Sequence, residues 1–419
     1  MAPPADRVAS IMLLWHSLKL VSCTTLQTLW AGYGQICAIT AKASTEEAAK
    51  HMDKLCGMEK GAAGSTYPLI LKLISPPNKS GGKQDEGHLR KMMSYEVEQH
   101  FYSHLVPLLD EDVGVAKCLA STRGMDGQEG EQELKGLMAT IMVDLRENFP
   151  IAGEKRSLLD STQVHGAIDW LARFHGRTRD LLQKGLDIGK HVLPPFEESI
   201  KRQSEANDIG NGLWLNGGYT YLATRRKEYD FLVEATDSEW SEALCEPFEG
   251  SSLSVAEMAA SFLTPSGRPI ESYIHGDVKS ENLFTNLTRD KVAFFDFQYV
   301  GLGLGVCDLA KLFTCSVPLH MLVDDIEYVP EELLMCDGER RLLEYYRKRL
   351  IPDGETDAYD WHSFTRHWET ALVDWCRFQA SWGFWGNTEW LEARVRSILH
   401  DEEWRIWIHQ NVSSENNRR

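Results

Sequence analysis

Three oxygen-bearing side chains, Asp277, Asn282 and Asp296, lie in two neighbouring stretches, YIHGDVKSENLFTN (residues 273–286) and KVAFFDFQ (residues 291–298). SYI reads as a short strand ending at His275, and ENLFTN to KVAFFD reads as a hairpin around NLTRD. A hairpin returns the chain antiparallel, so Asp296 comes back beside Asn282 and the three side chains converge. Magnesium takes a few hard oxygen ligands and otherwise keeps water or phosphate oxygens. Asn282 and Asp296 suit that role, which leaves Asp277 to accept a hydrogen bond from an attacking hydroxyl and orient it. Lys279 is close enough in sequence to reach a transferring phosphate. His275 is expected to brace the loop backbone rather than to act as a base or metal ligand. Phosphoryl transfer fits this set, because there the protein mainly positions groups and neutralises charge.

Upstream, Lys72 sits mid-strand in LILKLI, where a cation on an apolar strand is costly without anionic partners. Glu98 on the following helix is the expected partner, with Glu96 as the alternative and nucleotide phosphates as the other anion. The turn AGYGQ offers Gly32 and Gly34, whose bare backbone could close over phosphates. Taken singly, each piece has a plainer explanation: a hairpin turn, a snorkelling lysine, a solvated helix charge. The ordered set is what points to chemistry.

Residues 25–42 read as two strands joined by that glycine turn, and TYPLILKLISPP (66–77) as a strand closed by a proline pair. PPNKSGGKQDEG reads as a solvated loop. A helix follows in which Leu89, Met93, Val97, Phe101 and Leu105 recur every four residues, then the strand LMATIMVDL. Beyond Asp144 the character turns helical, with TQVHGAIDWLARFHGRT and SLSVAEMAASFLT both at helical period. The expected architecture is α+β, a small β-rich lobe and a larger, mostly helical one, divided near residues 143–150. SIMLLWHSLKLV near the start reads as an amphipathic first helix, too short to span a bilayer.

At these residues the chain resembles the aminoglycoside phosphotransferase and choline kinase-like family, nearest its eukaryotic ecdysteroid-kinase-like branch. The motifs are His275-Gly276-Asp277, Asn282, Asp296-Phe297-Gln298 and Asp308-Leu309-Ala310, with Glu98, Phe101 and Tyr102 on the earlier helix and a helix ending in WLARFH. The resemblance spans residues 25–390 in order and spacing and is specific over 273–312. It implies a protein-kinase-like two-lobed fold, ATP and Mg²⁺ as cofactors, a nucleotide-binding N-lobe (1–145) and a C-lobe (146–419) with the catalytic loop and acceptor-binding helices. In that frame Asp277 and Lys279 are catalytic, Asn282 and Asp296 hold the metal, and Gly32, Gly34, Lys72 and Glu98 hold the nucleotide. Asp308 braces the catalytic loop. Choline and ethanolamine kinases usually show Asp-Phe-Glu where this chain has Asp-Phe-Gln, which turns the expectation away from choline. Only twelve positions separate Asp296 from Asp308 and no Ala-Pro-Glu follows, so the platform on which protein kinases dock a peptide is missing. The acceptor is therefore expected to be a small molecule. The alternatives are a pseudokinase serving as a binding or scaffold module and, behind it, a protein kinase.

A balance of 44 basic against 62 acidic residues, net charge −18, argues against nucleic acid or anionic membrane as partner. Nine scattered cysteines without CxxC spacing suggest neither a disulfide framework nor zinc, and favour a reducing, cytoplasmic setting. Trp361, Trp368, Trp375 and Trp382 recur every seven residues, a slowly drifting helical stripe that could be core or pocket wall. With Asp360, Glu369 and Asp374 nearby, that stripe favours a cationic acceptor, an amino alcohol or aminoglycoside-like compound. A steroid alcohol is the neutral rival.

Overall fold

The computed structural model describes residues 3–416 apart from 77–84, 187–190, 205–211, 249 and 352–358. Most of the loop PPNKSGGKQDEG lies outside the described residues. The first part of the chain runs α1 (Ala5–Leu14), β1 (Leu18–Thr28), β2 (Gly34–Ala43), α2 (Glu46–Cys56), β3 (Thr66–Ile74), α3 (Glu86–His100), β4 (Cys118–Ser121), α4 (Glu131–Leu134) and β5 (Met138–Val143). Its strands form one antiparallel sheet in the order β1-β2-β3-β5-β4. Alternation along β3 sets Leu69, Leu71 and Leu73 on the face that packs with α1 and α2. The same alternation turns Lys72 to the opposite face, between Ile36 of β2 and Thr140 of β5. The sheet thereby presents one ammonium toward α3.

The run SIMLLWHSLKLV is not one helix. α1 stops at Leu14, Ser17 takes a positive φ of 54° and Leu18 opens β1 opposite Ala43. Burial of Leu18 in the sheet outweighs the helical periodicity of the run. The sequence reading also omitted α2, although Thr45 caps it by accepting from Ala48 N (3.1 Å) and Gly57 closes it with a φ of 66°.

The rest of the chain is β6 (Ile151–Ala152), α5 (Ser161–Gln183), α6 (Pro195–Ser204), α7 (Arg226–Glu234), α8 (Glu239–Cys245), α9 (Val255–Leu263), β7 (Ser272–Ile274), β8 (Leu283–Thr285), β9 (Val292–Phe294), β10 (Gly301–Gly303), α10 (Val306–Cys315), α11 (Asp337–Leu350), α12 (Trp361–Trp382), α13 (Thr388–His400) and α14 (Glu402–Asn416). The molecule thus has the two-lobed α+β architecture of a protein-kinase-like fold, a β-rich lobe followed by a mostly helical one. α5 begins on an Asp160–Gln163 capping box and packs against β7, the strand that leads into the His275–Asn282 loop. β8 and β9 form the expected hairpin, Leu283 opposite Phe294.

Two large cores result. The smaller lies between the five-stranded sheet and α1 and α2. The larger gathers the helices of the second part and also takes the apolar stripe of α3, Leu89, Met93 and Val97, with Phe101 just after it. The Phe101 ring stacks on Phe297 at 3.9 Å between centroids, so α3 is fixed to the segment that carries Asp296. No helix among the described residues is long and apolar enough to cross a membrane.

Candidate active site

The loop from His275 to Asn282 is held from below by a buried carboxylate. Asp308, on α10, accepts from the backbone amides of His275 (2.7 Å) and Gly276 (2.9 Å) and from His175 Nε2 (3.1 Å). His175 Nδ1 is in turn 2.8 Å from the Tyr346 hydroxyl. Burial would raise the Asp308 carboxyl, but the His175 hydrogen bond and nearby positive charge hold it below the ordinary range. His275 Nδ1 accepts from Asp277 N (3.2 Å), so its Nε2 carries the proton donated to Phe295 O (2.9 Å). Its ring is buried, which lowers its pKa and keeps it neutral. Gly276 is required here: its φ is 83°, and a Cβ would lie 2.5 Å from Tyr299 O and 2.6 Å from Gly218 N.

Asp277, Lys279, Asn282 and Asp296 come together above that brace. Asn282 Nδ2 donates to Asp277 O (2.8 Å) and Oδ2 (3.0 Å), and Lys279 Nζ lies 3.1 Å from both Asp277 Oδ2 and Glu281 Oε1. Although burial works to lower it, these two carboxylates raise the Lys279 pKa. Phe295 N donates to Asn282 O (3.0 Å), which returns Asp296 beside Asn282. Asp296 has a left-handed backbone, φ 66° and ψ 56°, a conformation that is uncommon outside glycine and that Asp tolerates better than most.

Lys72 crosses from the sheet to this cluster. Its Nζ is 2.6 Å from Glu98 Oε2 and 3.0 Å from Asp296 Oδ1. Glu96 turns away to Arg202 NH1 (2.8 Å), so of the two carboxylates considered, Glu98 is the one beside Lys72. Burial would lower the Lys72 pKa, yet Asp296 and Glu98 together raise it and keep the ammonium charged. Burial likewise works to raise Asp296, but Lys72, with the Gln298 hydrogen bond and the Lys279 charge, holds it below the ordinary range. Gln298 Nε2 also donates to Asp296 Oδ1. Among the described residues no hydrogen bond reaches Asp296 Oδ2 or Asn282 Oδ1, so two hard oxygens remain open for a cation.

The glycine turn is less committed. Gly34 is dictated by the sheet, because a Cβ there would meet Leu73 O at 2.1 Å. Gly32, at φ 72°, has open space around it. Between them Tyr33 is buried, packs against Tyr95 and lies 2.6 Å from His88 Nδ1 through its hydroxyl. The turn is thus fastened to α3, a contact that sequence reasoning did not include.

Beyond Asp277 opens a cavity of about 240 Å³. One wall is aromatic: Tyr219, Trp375, Trp382 and Trp385. The tryptophan stripe therefore divides along α12. Trp368 is core, donating to Glu339 Oε1 (2.8 Å), whereas Trp375 and Trp382 face the cavity with Trp385 from the break after α12. The charges do not match the cationic-acceptor expectation. Among the described residues Lys155, Arg156, Arg225, Lys279 and Lys311 line the cavity against only Asp277 and Glu281. The acidic residues named from the sequence lie elsewhere: Asp360 caps α12, Glu369 pairs with Arg366 and Asp374 pairs with Arg377. Net charge summed over the chain says nothing about where the carboxylates fall.

Arg225 and Lys311 are cavity residues that the sequence reading missed. The Arg225 guanidinium lies 5.2 Å from the Trp382 ring and 5.3 Å from the Phe378 ring. Only Lys311 carried a local signal, one helical turn after Asp308 and on the same side of α10.

A buried brace under the His275–Asn282 loop, a carboxylate beside an asparagine and a lysine tied to a helix carboxylate make a kinase-type site, and the family that the chain matches makes it that of a small-molecule kinase. Residues 58–331 match the ecdysteroid kinase-like family, and the chain belongs to it. No curated protein matches in sequence. Among solved structures it is similar to an ethanolamine kinase of Plasmodium vivax (10% identity, 93% of this chain and 84% of that one, TM-score 0.41). It is likewise similar to a choline kinase of Cryptosporidium parvum (11%, 94% and 90%, TM-score 0.37) and a macrolide 2'-phosphotransferase of Brachybacterium faecium (12%, 91% and 99%, TM-score 0.41).

Proposed function

We propose that the protein transfers the γ-phosphoryl group of ATP to a hydroxyl of a small molecule held in the cavity beside Asp277. The observation that carries this reading is the convergence of Asp277, Asn282 and Asp296 with the Lys72–Glu98 pair across the two lobes. Asp277 accepts the hydrogen bond of the acceptor hydroxyl and aims its oxygen at phosphorus. Lys72, fixed by Glu98, positions the nucleotide phosphates, and Lys279 neutralises charge on the group in transit. Asn282 and Asp296 would hold Mg²⁺ through the two open oxygens, and the ion would supply charge neutralisation. The N-lobe, residues 1–145, holds the nucleotide beneath the Gly32–Gly34 turn, and the C-lobe, 146–419, holds the acceptor. The aromatic wall favours an acceptor with a flat ring over a compact amino alcohol. Nine cysteines, all free, support a reducing compartment such as the cytoplasm.

The test is transfer from γ-labelled ATP into a mixed metabolite extract with mass spectrometry of the products. A phosphorylated alcohol should appear with Mg²⁺ and disappear with Asp277→Asn. Nucleotide binding without any labelled product, identical in wild type and variant, would instead make the protein a binding module.

A further inference from the structure

Lys311 stands on α10, is only 5% exposed and lines the cavity beside Asp277. Its Nζ lies 5.7 Å over the Trp375 ring, and a Cβ at Gly218 would be 3.4 Å from it and 3.6 Å from Gly276 O. The ammonium is therefore next to the catalytic loop. Among the described residues it has no hydrogen-bond or ion-pair partner. The neighbouring carboxylates are committed: Asp308 to His175 and two backbone amides, Asp374 to Arg377. On the same wall Trp375 Nε1 is a second buried donor without an acceptor.

Asp308, one helical turn away, feels the Lys311 charge but is already committed, and a buried ammonium with no carboxylate in contact is unfavourable unless something else supplies the negative charge. The other buried cations of this site have such a partner: Lys72 has Glu98 and Asp296, and Arg225 has Glu228 at 3.0 Å. Lys311 faces the space where the acceptor is placed, and the cavity's cationic excess has the same sign. We propose that Lys311 is a specificity residue for an anionic acceptor, a ring-bearing alcohol that also carries a carboxylate. The ring lies along Trp375 and Trp382, the carboxylate meets Lys311 Nζ, and the hydroxyl is left to Asp277. This inference rests on the kinase reading above.

Three para-substituted benzyl alcohols test it: para-(hydroxymethyl)benzoate, its near-isosteric benzamide and the bulkier para-trimethylammonium cation. Binding is read by quenching of tryptophan fluorescence, and transfer by ADP release. Wild type should bind the carboxylate about tenfold or more tighter than the amide, as a charge-assisted hydrogen bond in a buried site allows, and should bind the ammonium least. Lys311→Met should reduce the carboxylate preference to about twofold or less, and Lys311→Arg should retain most of it. A lysine serving only packing would leave the ratio of carboxylate to amide unchanged in Lys311→Met, which overturns the inference. So does a wild type that prefers the amide or the ammonium ion. If Lys311→Met weakens ADP binding measured without acceptor and leaves the ratio unmoved, the lysine serves the nucleotide and the inference also falls. Failure of the kinase reading looks different: neither ATP hydrolysis nor transfer to any acceptor, in wild type as in Asp277→Asn.

Discussion

Asp277 and Asn282 differ from Lys72 in what their neighbours leave free. Asp277 keeps one carboxylate oxygen on Asn282 and Lys279, so its orientation is set before any substrate arrives. Asp277→Asn should then leave nucleotide affinity near wild type and lower kcat about a hundredfold or more, the range for loss of a positioned proton acceptor. Steady-state kinetics beside ADP titration would check it; equal losses in both would place Asp277 in nucleotide binding instead. Lys72 and Glu98 are both buried and 2.6 Å apart. Removing one leaves the other charge buried and unpaired, which is the costly step. A double-mutant cycle with Lys72→Met and Glu98→Gln should therefore show a coupling of about 1–3 kcal/mol in kcat/KM. Additive effects would mean the pair does not act as a unit.

At the scale of the element, α12 has to reach from core to cavity, and its second turn is fixed by an unusual histidine. His367 lies 2.6 Å from the Tyr359 hydroxyl through Nδ1 and packs against Phe262 of α9 and Trp407 of α14. Burial, with the Arg268 charge nearby, lowers its pKa to about 3; Asp360 pulls only weakly the other way. An unfolded histidine titrates near 6.5. Between those two values the unfolded chain binds a proton that the folded chain does not, so stability is full above about pH 6.5 and falls as pH drops toward about 3. The slope from this one group is at most about 1.4 kcal/mol per pH unit. Urea unfolding between pH 7 and 5 should show a shallower loss in His367→Gln than in wild type. Parallel curves would remove His367 as the cause.

For the molecule as a whole, the two lobes meet at the site through Lys72 and Asp296, 3.0 Å apart, and through α3 packed on Phe297. A ligand that bridges the same place stabilises the whole chain by mass action. At a hundredfold excess over Kd, Mg²⁺ with ATP should add about 2.7 kcal/mol, read as a rise of a few degrees in Tm. With Asp296→Ala that rise should shrink to what ATP gives with chelator present. An undiminished shift would take the metal away from Asp296.

How much of this could be read in the sequence depends on range. The His275–Asn282 loop and the hairpin to Asp296 were legible because strand, turn and strand are local, and spacing alone brings Asp296 beside Asn282. β3 and Lys72 were legible from an apolar run with one charge in it, and α3 from its four-residue repeat. The end of α1 was misread because helical periodicity continued past Leu14 while the sheet, a non-local partner, claimed Leu18. Which glutamate meets Lys72 could not be settled from one sequence, since Glu96 and Glu98 differ by 200° around a helix only once its core face is known. The cavity beside Asp277 was the least legible. It joins Tyr219 and Arg225, Lys311 on α10, and Trp375 to Trp385 around the end of α12, three parts separated by long stretches of chain. Composition reports a chain's total charge, but only packing decides which charges share a wall, and here it set cations where the net charge of −18 had suggested carboxylates.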